Sequence, residues 1–198
     1  NVDAFAWDPS SKKLYIEASV DAEAAVWSLG IDEKKPTRLT GEGSSGSLSM
    51  SADGSKMVFS YQSLTRPVEV FSMKSDGSDA RAITDVNGAL FSNIEFSKPE
   101  VAWVTGAIGV KVHMWVIKPP FFDPKKKYPM VFMVHGGPQG DWGNSWSYRW
   151  CPSLWAAQGY VVALPNPRGS TSFGQQFTDE ISRDWGGKVY EDLMAGVA

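Results

Sequence analysis

The sequence is poor in the residues that build disulfides and metal sites. It contains one cysteine, Cys151, and two histidines, His113 and His135. A single cysteine excludes an internal disulfide framework and a cysteine-rich zinc site. Two histidines, with no carboxylate pair at ligand spacing from them, indicate no other metal centre. We therefore predict neither a metal ion nor another cofactor.

The chain also lacks a long apolar run and an excess of basic residues. No stretch approaches the roughly 20 apolar residues that a membrane-spanning helix requires, so no membrane span is predicted. The net charge of −3 argues against a nucleic-acid-binding protein, which would show a basic stripe. The longest basic run, Lys125-Lys126-Lys127, is too short for a polyanion site and indicates a solvated loop.

The composition changes near residue 104. Residues 1–104 carry a net charge of −5 and 17 serines, whereas residues 105–198 carry a net charge of +2 and 6 serines. Such a shift is typical of a boundary between unlike domains. We predict two domains, 1–104 and 105–198.

Landmarks in the first part recur at a spacing of 43 residues. The recurring pairs are Trp7 and Met50, Leu14 and Met57, and Trp27 and Val70. A period of 40–45 residues with about four short strands is typical of a β-propeller blade, although an antiparallel sandwich with similar hairpins is the alternative. Each unit ends with an arginine, one or two apolar residues and a threonine, which is Thr40 in the first unit and Thr84 in the second. A third unit is predicted over residues 91–104, and so few units predict an incomplete propeller.

The second part alternates strand and helix patterns. Residues 110–117 are rich in strand-forming types, and the apolar run 130–134 predicts a strand buried on both faces of a parallel sheet. A short helix over 152–158, a second buried strand over 160–164 and an amphipathic helix from near Trp185 complete the pattern. This alternation predicts an α/β fold, with the last helix still in progress at Ala198.

A glycine loop follows the first of these buried strands. The residues His135-Gly136-Gly137-Pro138 stand at the carboxyl end of a strand, where open α/β sheets bind their ligands. In α/β-hydrolases a loop of this type in this position donates an oxyanion-hole N–H. A plain turn between strand and helix is the alternative.

Further motifs accompany this loop in a fixed order. They are Lys127-Tyr128-Pro129, Trp146-Ser147-Tyr148-Arg149-Trp150, Gly159-Tyr160, Pro165-Asn166-Pro167-Arg168-Gly169-Ser170, Phe173-Gly174, Asp184-Trp185-Gly186-Gly187 and Glu191-Asp192-Leu193. In that order and spacing, residues 105–198 resemble the prolyl oligopeptidase family of serine peptidases, in particular its acylaminoacyl peptidases and bacterial dipeptidyl peptidases. The resemblance extends more loosely over 1–104, where that family carries a β-propeller.

The resemblance implies β-propeller blades (all-β) followed by the start of an α/β-hydrolase domain, both incomplete. It implies hydrolysis of short peptides by a Ser-Asp-His triad, without a cofactor and with no nucleic-acid partner. Relatives of this type are cytoplasmic or periplasmic, and the oligomeric state stays open.

The resemblance also implies roles for individual residues. The N–H groups of Gly137 and Gly136 are expected to hold the oxyanion, and His135 to orient their loop rather than act as a base. Arg168 is expected either to face the substrate or to form a salt bridge with an acid such as Asp192. The aromatic candidates, which either line the cleft or pack in the core, are Tyr148 and Trp146.

No serine of this chain stands in the frame Gly-x-Ser-x-Gly that the nucleophile of this fold requires. The nearest sequence, Gly143-Asn144-Ser145-Trp146-Ser147, lacks the last glycine. We therefore expect the triad to lie beyond Ala198 and these 198 residues alone to be inactive. A non-catalytic interaction protein and an esterase with the same loop remain alternatives, because a fold does not determine its function.

Overall fold

The computed structural model describes residues 2–198, which form two compact units. One unit extends to Ile94 and includes Gly143–Trp146, and the other comprises Glu95–Trp142 and Ser147–Ala198. The domain limits of 1–104 and 105–198 stay a prediction.

The first unit contains antiparallel sheets in which strands adjacent in sequence are adjacent in space. One sheet consists of β1 (Val2–Trp7), β2 (Lys13–Val20), β3 (Glu23–Gly30) and β4 (Thr37–Arg38). The next consists of β5 (Ser44–Met50), β6 (Lys56–Ser63), β7 (Arg66–Lys74) and β8 (Arg81–Ala82), followed by the helix α1 (Gly88–Phe91). A four-stranded antiparallel sheet of this kind is the blade of a β-propeller.

The 43-residue period corresponds to repeated backbone contacts. In the turn after β1 the Asp8 N–H donates to the Lys13 carbonyl at 2.9 Å, and in the turn after β5 the Ser51 N–H donates to the Lys56 carbonyl at 2.9 Å. Both turns join the first two strands of a blade, and each is followed by an inner strand of its sheet, β2 or β6. The repeat is therefore a repeat of structure as well as of residue types.

A threonine hydroxyl closes each blade. The Val26 N–H donates to Oγ1 of Thr40 at 3.0 Å, and the Val70 N–H donates to Oγ1 of Thr84 at 2.9 Å. Because β4 and β8 are only two residues long, the hydroxyl continues the pairing beyond the end of the strand. The core of this unit is made by Tyr15, Val26, Met57, Phe59 and Met73.

The second unit contains a mixed sheet with helices in its connections. Its strands, in spatial order, are β11 (Met130–Phe132), β12 (Val161–Asn166), β10 (Lys111–Ile117) and β9 (Glu100–Thr105). β11 and β12 are parallel, and the other neighbours are antiparallel. The α-helices are α2 (Pro152–Ala157), α3 (Gln175–Asp179) and α4 (Lys188–Val197), and a 3-10 turn spans Ala107–Gly109.

Two predictions about strands are wrong. The strand β9 pairs with β10 instead of entering a third blade, because the turn in which the Gly106 N–H donates to the Val110 carbonyl at 2.8 Å reverses the chain. The run 130–134 is not buried on both faces, since Met130 is 40% and Val134 is 51% exposed. Among the described strands β11 has a neighbour on one side only, which leaves its other edge uncovered.

Candidate active site

The loop of residues 133–142 begins where β11 ends. The Met133 N–H donates to the Ala163 carbonyl at 2.9 Å, which extends the parallel pairing with β12. The indole Nε1 of Trp142 donates to the Met133 carbonyl at 2.7 Å and closes the loop at its base. The loop therefore leaves and returns at the carboxyl end of the sheet, where α/β folds bind ligands.

Gly137 occupies a position in this loop that suits only glycine. Its φ is +143°, and a Cβ there would lie 2.8 Å from the backbone nitrogen of Gln139. A Cβ added at Gly136 would meet no heavy atom within 4 Å. Both glycines are exposed, and within residues 2–198 neither N–H donates to a protein acceptor. Two adjoining N–H groups of this kind can bind an anionic oxygen.

His135 is held through both ring nitrogens. Its Nδ1 lies 2.9 Å from the carbonyl oxygen of Gly136, which can only accept, so Nδ1 carries the proton in that bond. With the proton on Nδ1, Nε2 is an acceptor, and the Ser170 hydroxyl shares its one proton between Nε2 at 2.9 Å and the Pro167 carbonyl oxygen at 2.6 Å. These contacts tie the ring to its own loop and to the residues after β12. The role of His135 in orienting the loop stays a prediction.

Arg168 is buried, with 1% of its surface exposed. Its Nε donates to Asp192 at 2.7 Å, Nη1 donates to Glu180 at 3.0 Å, and Nη2 donates to the Ala107 carbonyl at 2.9 Å. The hydrogen-bonded carboxylate of Asp192 raises the pKa of Arg168, so the guanidinium stays charged. Because these groups of the protein occupy the guanidinium, we do not include Arg168 in the proposed substrate site.

The two aromatic candidates lie in different units. Trp146 belongs to the first unit, where its N–H donates to Oε1 of Gln62 at 3.1 Å and its ring meets Phe91 edge-on, with the centroids 5.3 Å apart. Tyr148 belongs to the second unit and is 74% exposed. Only Tyr148 therefore shares a unit with Gly137, and substrate contact by either aromatic residue stays a prediction.

A cavity of about 460 Å³ adjoins the loop. Its walls include His135 and Gly136, and most of its other lining residues are apolar, among them Val131, Trp142 and Trp155. A cavity of this size with a few polar groups on an apolar lining is typical of a small-ligand site. The cavity also reaches β11, since Val131 belongs to that strand.

The remaining titratable groups of the described part offer no second centre. His113 is 1% exposed, and its Nδ1 accepts from Nδ2 of Asn166 at 3.1 Å, so it lies in the core. Among residues 2–198, no three His, Cys, Asp or Glu side chains are grouped to hold a metal ion. No helix in that range has the length and apolar character needed to cross a membrane.

Two residues that contact the loop were missed at the level of sequence. Asn166 accepts from the Trp142 N–H at 2.7 Å through Oδ1, and Ser170 faces His135. Their position in the sequence could have indicated them, because neighbouring parallel strands end at the same edge of a sheet. Asn166 and Ser170 lie at or after the end of β12, just as the loop lies after the end of β11.

Comparison with known proteins identifies relatives of this chain. Residues 146–198 match the model of the Prolyl oligopeptidase family. The chain is 39% identical over 197 residues to a probable dipeptidyl-peptidase 5 of Trichophyton verrucosum. The aligned region covers 97% of this chain and 27% of that protein.

Two solved structures share the fold of the whole chain. Pyrococcus horikoshii acylaminoacyl peptidase matches with a TM-score of 0.82 at 23% identity, covering 100% of this chain and 30% of that one. An acylaminoacyl peptidase in complex with Z-Gly-Gly-Phe-chloromethyl ketone matches with a TM-score of 0.83 at 21% identity, again over 100% and 30%. These likenesses confirm propeller blades followed by the start of an α/β-hydrolase domain, and the chain spans less than a third of each protein it matches. The chain is thus a part-length relative of the prolyl oligopeptidase family.

Proposed function

We propose that this chain is part of a serine peptidase that hydrolyses short peptides, of the dipeptidyl-peptidase or acylaminoacyl-peptidase type. The observation that carries the proposal is the pair of exposed, unpaired N–H groups of Gly136 and Gly137 at the carboxyl end of β11. The names of the relatives support a peptidase, and one similar structure holds a compound with a Gly-Gly-Phe sequence.

In the proposed reaction a serine Oγ, contributed by sequence beyond Ala198, attacks the carbonyl carbon of the peptide bond. The π electrons of that carbonyl move to its oxygen, and the N–H groups of Gly137 and Gly136 donate to the resulting oxyanion. One such donor is worth about 2.7–4 kcal/mol in the transition state. A histidine oriented by an acid takes the serine proton and delivers it to the leaving amine as the C–N bond breaks.

The uncovered edge of β11 offers a place for that serine. In the described part of the chain β11 pairs with β12 alone, so the backbone groups on its other edge are available to a further parallel strand. In α/β-hydrolases the nucleophile stands on a sharp turn between a strand and a helix at the top of the sheet. A strand paired with β11 would bring such a turn beside the loop 133–142, and we include this pairing in the proposal.

Labelling by a fluorophosphonate probe tests the serine nucleophile in the protein that carries this chain. We expect covalent labelling, together with hydrolysis of a dipeptidyl or acyl-aminoacyl anilide. A protein that takes up no probe would be the non-catalytic interaction protein built on the same scaffold. A protein that is labelled but hydrolyses only a p-nitrophenyl ester would be an esterase.

Substitution of the loop glycine tests the oxyanion donors themselves. In Gly137→Ala the new Cβ displaces the backbone at Gln139, and we expect kcat for the anilide to fall roughly 10²- to 10³-fold, as for loss of one donor. Gly186→Ala is the matched control, because a Cβ there has no heavy atom within 4 Å and the residue is exposed. Equal activity of the two variants would remove Gly137 from the mechanism.

A further inference from the structure

The last residue of β12 and the residues after it form several hydrogen bonds with the candidate oxyanion loop. We call residues 166–172 the cradle segment. Its contacts to the loop are Asn166 Oδ1 with the Trp142 N–H at 2.7 Å, Ser170 Oγ with His135 Nε2 at 2.9 Å, the Thr171 N–H with the Gly140 carbonyl at 3.0 Å, and Ser172 Oγ with a carboxylate oxygen of Asp141. The loop is thus held near its start and at its end.

The polar side chains of the cradle segment that make these contacts are withdrawn from water. Asn166 and Ser170 have no exposed surface. Leaving a buried hydroxyl or amide without its hydrogen bonds costs about 1–3 kcal/mol. Here the partners that satisfy Asn166 and Ser170 include atoms of the loop, so the loop conformation and the burial of these groups depend on each other.

The cradle segment is itself fixed from its other side. The Arg168 N–H donates to Oδ2 of Asp192 at 3.1 Å, and the Arg168 side chain bonds the same carboxylate. The Ser170 carbonyl accepts from Oγ1 of Thr178 at 3.0 Å, and the Gly169 N–H donates to the Phe177 carbonyl at 2.9 Å. The segment is therefore hydrogen-bonded to the rest of the unit on the side away from the loop as well as to the loop itself.

We propose that Ser170 is a positioning residue for the oxyanion donors and acts through His135. This inference rests on the proposed function for its effect on catalysis. His135 is covalently adjacent to Gly136, and its ring also bonds the Gly136 carbonyl. Ser170 fixes the far side of that ring, so it limits the orientations open to the peptide groups of Gly136 and Gly137. Misplacing such a group by about 1 Å can reduce a rate about 10²-fold.

The test compares Ser170→Ala with Ser153→Ala in the protein that carries this chain. Ser153 is a matched control, because its hydroxyl is also buried in the second unit but has no hydrogen-bond partner among the described residues. Hydrogen–deuterium exchange of the peptide covering residues 133–142 is read first, since it does not depend on activity. We expect faster exchange in S170A and unchanged exchange in S153A.

Kinetics on the anilide substrate separate positioning from a merely structural role. We expect kcat of S170A to fall about 10- to 100-fold with KM within about twofold, because transition-state contacts are lost and ground-state binding is kept. His135→Ala removes the same hydrogen bond at a partly exposed residue, and it replaces S170A in this test if S170A does not fold. If Ser170 acts through His135, the double variant is no slower than the slower single variant.

Each result decides the inference. Unchanged exchange in S170A, faster exchange with unchanged kcat, or additive effects of S170A and H135A would overturn it. If the unsubstituted protein hydrolyses no peptide, the proposed function fails, and loop exchange in S170A alone then decides whether Ser170 positions the loop.

Discussion

The first unit contains polar contacts that recur with its repeat, whereas the second unit contains a buried polar contact that is made once. In the first unit the hydrogen bonds that close the blades, Val26 with Thr40 and Val70 with Thr84, each span 14 residues and occur once per repeat. In the second unit the Ala107 N–H donates to Asp192 across 85 residues. A contact that recurs produces a period in the sequence, whereas a contact made once produces none.

Two acidic side chains, one in each unit, differ in their exposure to solvent. Asp53 lies in an exposed turn, where it accepts from the hydroxyls of Ser51 and Ser55. Asp192 has no exposed surface and pairs with Arg168 at 2.7 Å. Exposed charges contribute little to stability, while removal of one partner from a buried pair is costly. The comparison therefore predicts a graded set of mutational effects.

The largest effect is expected from Asp192→Ala. The substitution leaves the Arg168 guanidinium buried without its main partner, which should lower the free energy of unfolding by about 3–5 kcal/mol. Urea unfolding of the protein that carries this chain measures it, with Glu191→Ala, the exposed neighbour on α4, as control. If the free energy of unfolding falls equally little in both variants, the buried ion pair does not stabilise the second unit.

Next in size is Thr40→Val, which keeps the shape of the side chain and removes the acceptor of the Val26 N–H. Val26 has no exposed surface, so we expect a loss of about 1–3 kcal/mol. Thr84→Val should cost at least as much although Val70 is 38% exposed, because the Thr84 hydroxyl also donates to the carboxylate of Glu69, which is 3% exposed. Thermal unfolding of both variants checks this order, and a clearly smaller loss in Thr84→Val would show that the bond to Glu69 contributes nothing.

Gly54→Ala should have a smaller effect within the same unit. Gly54 has φ +69°, and a Cβ there would lie 2.8 Å from Cδ of Pro9. A residue with a Cβ in this region costs about 1–2 kcal/mol. Gly41→Ala is the control, since a Cβ at Gly41 meets nothing within 4 Å. Similar melting temperatures for the two variants would exclude strain at the turn.

The smallest effect is expected for the pH dependence of stability at Asp53. The hydrogen bonds from Ser51 and Ser55 lower the pKa of Asp53 from 3.8 to about 2. Because the folded pKa lies below the unfolded one, the ionised Asp53 stabilises the fold above pH 3.8, and this contribution is lost as the pH falls towards 2. Asp53→Asn should be slightly less stable at pH 5 and nearly equal at pH 2, by thermal unfolding. A difference that is the same at both pH values would contradict the assignment.

The sequence predicted the blades and the glycine loop after β11 because both depend on local features. Strand, turn and strand recur with one period, and the glycine required at φ +143° in Gly137 is recognisable by residue type. It did not predict that β9 pairs with β10, because Trp103 and its neighbours form an equally good strand in either sheet. Nor did it identify Asn166 and Ser170, whose contacts depend on which strands lie side by side.

The guanidinium of Arg168 also constrains the order in which the molecule can fold. Its partners lie 61 residues before it, at Ala107, and 12 and 24 residues after it, at Glu180 and Asp192. During synthesis from the N-terminus the blade contacts can form as soon as each repeat is complete, because their loops are short. The buried ion pair must wait until Asp192 has been made. Until then Arg168 lacks its buried carboxylate partner, so the cradle segment is expected to become ordered late, after the blades.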